Sequence, residues 1–119
     1  SAIVYFQLDR YNIDYNARKT LQNFAAKIKN LPDTCKYYII GAADSATGTP
    51  AHNQVLSEHR CQSIYNMLTM TFGVDPNRLE MKALGGIYEY DPEEMNRVGI
   101  IVLRNDELTK LIDKWQKKK

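Results

Sequence analysis

The chain has 119 residues, 44% of them hydrophobic and 25% charged, and a formal net charge of +2. That is enough for one globular domain and too little for two. The composition excludes a disordered tail, and the charge gives no field of the kind that holds DNA or RNA.

The longest apolar run, Tyr37–Ala43, has the length of a buried strand and falls far short of the ~20 residues of a membrane-spanning helix. No signal peptide opens the sequence, which predicts a cytosolic protein or a fragment of a longer exported one. The basic cluster Lys117–Lys119 reads as a frayed, solvated tail. Cys35 and Cys61 make no CxxC and no metal spacing, and no disulfide between them is expected.

Ala2–Leu8 (AIVYFQL) is dense in β-branched and aromatic residues and predicts a strand, followed by polar Asp9–Asn12. Asp14 is a candidate N-cap with Ile13 before it as a staple residue. Ala17, Leu21, Phe24, Ala25 and Ile28 then recur at helical spacing, so the helix ends near Asn30, with Pro32 beyond. Lys36–Ala43 predicts a central strand covered on both faces. Asp44–Thr49 is a turn, and Pro50 opens a helical pattern that runs to about Phe72, with Gly73 as its stop.

Asp75–Arg78 is a second turn. Leu79, Met81 and Ala83 alternate with Glu80 and Lys82 and predict a half-buried strand that Gly85-Gly86 ends. A polar loop, Tyr88–Met95, leads to a last strand, Arg97–Leu103. Leu108, Leu111, Ile112 and Trp115 mark one face of a C-terminal helix over about 106–117, capped near Asn105 or Asp106. The order β-α-β-α-β-β-α predicts an α/β fold in a single domain over 1–119. Helices pack on a mixed sheet whose last two strands pair antiparallel.

Catalytic patterns do not assemble. The loop after the central strand has neither GxxxxGK[ST] nor GxGxxG, and no GxSxG elbow occurs. His52 and His59 are seven apart, outside the spacing of a metal pair on a helix, and read as solvated. Glu93 and Glu94 follow Asp91-Pro92 as an exposed turn, and Ser57 has no evident base. No catalytic residue, metal or cofactor is expected.

Arg60 stands out. It lies four residues from both Leu56 and Ile64, within the stripe a helix should bury. An unpaired buried guanidinium is costly by several kcal/mol, so it should reach solvent, a carboxylate or a ligand. Snorkelling to water is one reading. The other sets Arg60 and Asp44 across a pocket at the carboxyl end of the central strand.

GAADSATGTPAHNQVLSEHRCQSI, with VYFQLDRYNI upstream and NRVGIIVL downstream, resembles the OmpA-like C-terminal peptidoglycan-binding domain over about residues 3–103. The resemblance implies a β-α-β-α-β-β sandwich that performs no chemistry. It implies non-covalent binding of peptidoglycan through the diaminopimelate of the stem peptide, in the periplasmic domain of a Gram-negative outer-membrane or envelope protein. By the same likeness Asp44 receives the ligand ammonium and Arg60 grips its carboxylate. Asn53, Leu56 and Thr47 belong to the binding segment, Leu8, Asp9 and Arg10 line the pocket partly through backbone, and Arg97 stands on the last strand. The start of the second helix is expected to add backbone donors and a favourable dipole near the anion.

The sequence departs from the family pattern at Ala43, where threonine is usual, and at His52, where tyrosine is usual. Asp44 to Arg60 spans one residue more than the commonest form, and Arg97 stands alone where two arginines are common. Two rival readings are a protein–protein assembly module of an envelope complex without wall binding, and a wall-acting enzyme.

Overall fold

A computed structural model describes residues 1–118; Lys119, which closes the basic tail, lies outside the described residues. Four strands and three α-helices follow in the order β1 (Ala2–Tyr5), α1 (Tyr15–Ile28), β2 (Tyr37–Asp44), α2 (Pro50–Asn66), β3 (Leu79–Ile87), β4 (Val98–Leu103) and α3 (Asp106–Lys117). The sheet is open and mixed, in the order β1-β4-β2-β3. Every residue of β2 is buried, as its unbroken apolar run implies.

Alternation along β2 divides the core between two faces. Tyr37 and Ile39 join Leu21, Phe24 and Ile28 of α1 and Cys61 and Ile64 of α2 on one face. Tyr38 and Ile40 meet Ile112 and Leu108 of α3 on the other. The Asp14 carboxylate accepts from the Ala17 N–H at 2.8 Å, and the Asn105 amide oxygen accepts from the Leu108 N–H at 2.9 Å, capping α1 and α3. Past α2 the coil continues as a π-helical turn, Met67–Thr71, before Gly73 stops it at φ 70°.

Three expectations are corrected. The opening strand ends at Tyr5 rather than Leu8, because Gln7–Arg10 folds into a turn. The Arg10 N–H donates to the Gln7 carbonyl at 3.0 Å, and Asp9 takes φ 55°. The last two strands do not pair with each other. β3 runs parallel to β2 on one edge, while β4 crosses over and inserts between β2 and β1, antiparallel to both.

Nor does Gly85-Gly86 end β3. The register slips there, opposite the stretch between Gly41 and Ala43, and Gly85 sits at φ 72°. This is a bulge, which glycine accommodates without strain. It turns the Gly85 N–H away from the ladder, and that donor reaches the Ser57 hydroxyl of α2 at 2.9 Å.

Helix α2 packs close against the sheet, and two paired glycines permit it. Gly41 of β2 faces Gly99 of β4 in register. A Cβ at Gly41 would stand 2.5 Å from the Ser57 carbonyl oxygen and 2.6 Å from the Cys61 sulfur, and one at Gly99 would collide with Ile64. Cys61 is consequently sealed, and burial pushes its thiol up to about 12. Both cysteines are free thiols.

Candidate functional site

The inward face of α2 is not purely apolar. Asn53, Ser57 and Arg60 are buried among Leu56, Cys61 and Ile64 at helical spacing. Each polar group has a partner on a neighbouring element, as buried polar groups require. Asn53 donates to the Thr47 carbonyl at 2.9 Å and to the Asp44 carbonyl at 3.4 Å, which fixes the turn between β2 and α2. The Ser57 hydroxyl donates to the Gln54 carbonyl at 2.8 Å.

Arg60 is 0% exposed, so the snorkelling reading is overturned. Its guanidinium reaches neither water nor a carboxylate. Nε donates to the Arg10 carbonyl at 2.9 Å, Nη1 to the Ala42 carbonyl at 2.9 Å and Nη2 to the Gln7 carbonyl at 3.2 Å. The Phe6 ring lies 5.2 Å from the guanidinium carbon. Burial, then the charge of Arg97, lowers the group to about 10, while Asp9 pulls it the other way. It therefore remains a cation at neutral pH. Of the five N–H groups of a guanidinium, three are engaged and two remain.

Arg78 repeats the device at the opposite end of β2. It donates to the carbonyls of Cys35, Ile28 and Pro32 at 3.2, 3.0 and 3.0 Å, pinning the connection from α1 to β2. What sets Arg60 apart is that it also lines a cavity of about 260 Å³ shared with Leu8, Asp9, Asp44, Thr47, Gly48, His52, Asn53, Leu56 and Arg97.

Eight of the nine residues expected at the site thus converge on one cavity. Arg10 does not line it, but its carbonyl holds Arg60. Arg97 also touches the opening segment, its Nε donating to the Phe6 carbonyl at 3.3 Å. Gly48 and His52 are additions. Gly48 carries no functional group to signal its place, and His52 was read as solvated. It is exposed, and its ring nitrogen Nε2 also lies 2.6 Å from Asp9 Oδ1.

Asp44 and Arg60 face the same cavity without forming an ion pair; among the described residues no salt bridge joins them. Asp44 is 3% exposed, and Oδ1 accepts from the Ala46 N–H at 3.0 Å. A buried carboxylate and a buried guanidinium therefore stand apart, neither neutralised by the other.

The expected donors at the start of α2 are mostly occupied. Pro50 has no N–H, the His52 N–H donates to the Thr49 hydroxyl, and the Asn53 N–H to the Thr49 carbonyl. Arg60 lies more than two turns further along, beyond the reach of a dipole that fades within the first turn. Among the described residues no cluster of three or more His, Cys, Asp or Glu side chains is placed to hold a metal.

A family model described as the OmpA family matches residues 5–97. The chain belongs to the OmpA family. This OmpA-family chain is 32% identical over 102 residues to outer membrane protein 40 of Porphyromonas gingivalis, covering 83% of the chain and 26% of that protein. It is 36% identical over 89 residues to outer membrane porin F of Pseudomonas aeruginosa, covering 70% of the chain and 25% of that protein. The chain thus spans about a quarter of the length of the curated relatives it matches.

Among solved structures, the peptidoglycan-associated lipoprotein from Burkholderia pseudomallei superposes with a TM-score of 0.77 at 24% identity. The match covers 87% of this chain and 91% of that one, and it is a likeness of fold. Among the described residues no helix is long and apolar enough to cross a membrane.

Proposed function

We propose that this OmpA-family chain binds peptidoglycan non-covalently through the diaminopimelate of the stem peptide, and so anchors an outer-membrane or envelope protein to the cell wall from the periplasm. The observation that carries the reading is the separated pair: buried Asp44 and buried Arg60 face one cavity without meeting. The free end of diaminopimelate carries an ammonium and a carboxylate on one carbon, the complement of such a pair.

In this reading the ammonium lies against Asp44, and the carboxylate takes the two guanidinium N–H groups of Arg60 left over from its backbone contacts. Asn53 and Thr47 hold the loop that carries Asp44, Leu8 and Leu56 supply apolar walls, and Arg97 adds positive charge. Because carbonyls already fix the guanidinium, little side-chain freedom remains to be lost on binding. The family resemblance and the fold of a peptidoglycan-associated lipoprotein support the reading.

Co-sedimentation with insoluble peptidoglycan tests it. The chain should pellet with sacculi, free diaminopimelate should release it, and Asp44→Asn should abolish retention. Retention that is indifferent to both removes the mechanism. A chain that never pellets but whose size in light scattering grows with concentration is instead an assembly module.

A further inference from the structure

The turn that walls the cavity, Gln7–Arg10, is tied to α2 at two points. Arg60 holds it through the Gln7 and Arg10 carbonyls, and His52 holds it through the Asp9 carboxylate at 2.6 Å. His52, Leu56 and Arg60 follow one another at i, i+4 and i+8, along one side of the helix. The turn therefore bridges two residues of a single helix face, with Leu56 and the cavity between them.

The two ties differ chemically. Arg60 is a permanent cation bound to neutral carbonyls. His52 is an imidazole bound to a carboxylate, and imidazole is the side chain whose charge changes near neutral pH. Asp9 meanwhile holds φ 55°, a backbone conformation that disfavours a side chain bearing a Cβ. An αL aspartate is kept in place by its surroundings, and here its carboxylate is engaged by His52.

The charged groups that share the cavity with His52 are Asp9, Asp44, Arg60 and Arg97. When His52 is neutral, the negative charge of Asp9 on the cavity wall repels an incoming carboxylate, opposed only by Arg60 and Arg97. When His52 is charged, that repulsion is cancelled. The contact to Asp9 also becomes a charge-assisted one, drawing the turn against α2. Both effects favour the carboxylate end of the ligand.

We propose that His52 is a positioning residue of this cavity, and that through its pair with Asp9 it makes the grip on a carboxylate-bearing ligand tighten as pH falls. The proposal rests on the diaminopimelate reading for its ligand, but the tie between His52 and the turn stands without it. Both side chains are more than half exposed, at 54% and 66%, so the effect is that of a screened pair.

Calorimetry with free diaminopimelate should show affinity rising about two- to fivefold between about pH 7.5 and about pH 5.5. His52→Gln should flatten the profile, and so should Asp9→Gly, which suits the turn and removes the carboxylate. His59→Gln should leave it intact, since His59 stacks on Tyr11 with centroids 4.7 Å apart and lies outside the cavity. A flat or inverted wild-type profile, or one that survives His52→Gln, overturns the proposal. Absence of binding at every pH overturns the functional reading instead. The tie is then decided in ligand-free protein by NMR. The Leu8 and Asp9 amides should move between about pH 7.5 and about pH 5.5 in the wild type and stay fixed in His52→Gln; amides that behave alike in both overturn it.

Discussion

Replacing Arg60 with lysine keeps the charge and removes the planar fork, and Arg78 provides a matched control. Each guanidinium spans three backbone carbonyls at 2.9 to 3.2 Å or 3.0 to 3.2 Å. A lysine ammonium is a point donor that reaches one or two of them from the same stem. Losing at least one charge-assisted bond, and leaving a buried carbonyl unmet, should lower stability by about 2–4 kcal/mol in either Arg60→Lys or Arg78→Lys. Urea unfolding followed by circular dichroism should therefore show similar losses for the two variants.

Wall retention should separate them. Of the two, only Arg60 lines the cavity, and on the proposed reading loss of one bidentate carboxylate contact should weaken binding by about tenfold or more. Sacculus co-sedimentation, run at a temperature where all three proteins are folded, reads this directly. If Arg78→Lys loses as much retention as Arg60→Lys, the guanidinium at position 60 is a structural clamp and nothing else.

Three further outcomes follow from the geometry. Asp44→Asn keeps the oxygen that accepts from Ala46, so unfolding should change by less than about 1 kcal/mol while diaminopimelate binding falls. Gly41→Ala would bring a methyl within 2.5 Å of the Ser57 carbonyl; it should destabilise by about 2–3 kcal/mol, measurable as a lower urea midpoint. Cys61 gives a pH signature. Its folded thiol keeps its proton to about 12 against an ordinary 9.0, so the folded state binds more protons above that ordinary value. This contribution is whole below about 9 and shrinks as pH rises toward 12, by about 1.4 kcal/mol per unit at most. Unfolding measured at neutral pH and at pH 10 should show a larger drop for the wild type than for Cys61→Ala.

Local chemistry made the helices readable. Asp14 and Asn105 each stand directly before an apolar period, and each caps its helix as a short polar side chain should. Strand pairing was not readable in the same way. The placement of β4 between β1 and β2 depends on contacts such as Gly41 against Gly99, which are far apart in sequence. Gly85-Gly86 carried an ambiguous signal, because a strand break and a bulge ask for the same residue.

At the site, the resemblance located the cavity residues, and the spacing of Arg60 flagged a buried charge. What the spacing could not reveal was its partner. Backbone carbonyls bear no sequence signature, so an arginine satisfied by three of them looks unsatisfied on paper. Arg78 was passed over for the same reason, hidden inside a turn motif. The contact of His52 with Asp9 was not legible because the two lie 43 residues apart.

The three carbonyls on Arg60 belong to separate pieces of the fold: Ala42 to the middle strand, Gln7 and Arg10 to the bend after the first strand, while the side chain itself springs from α2. A tug on anything seated against that guanidinium would be shared at once among strand, bend and helix, rather than borne by one loop. If the proposed wall contact holds, the point of attachment would also be the rivet that fastens the frame.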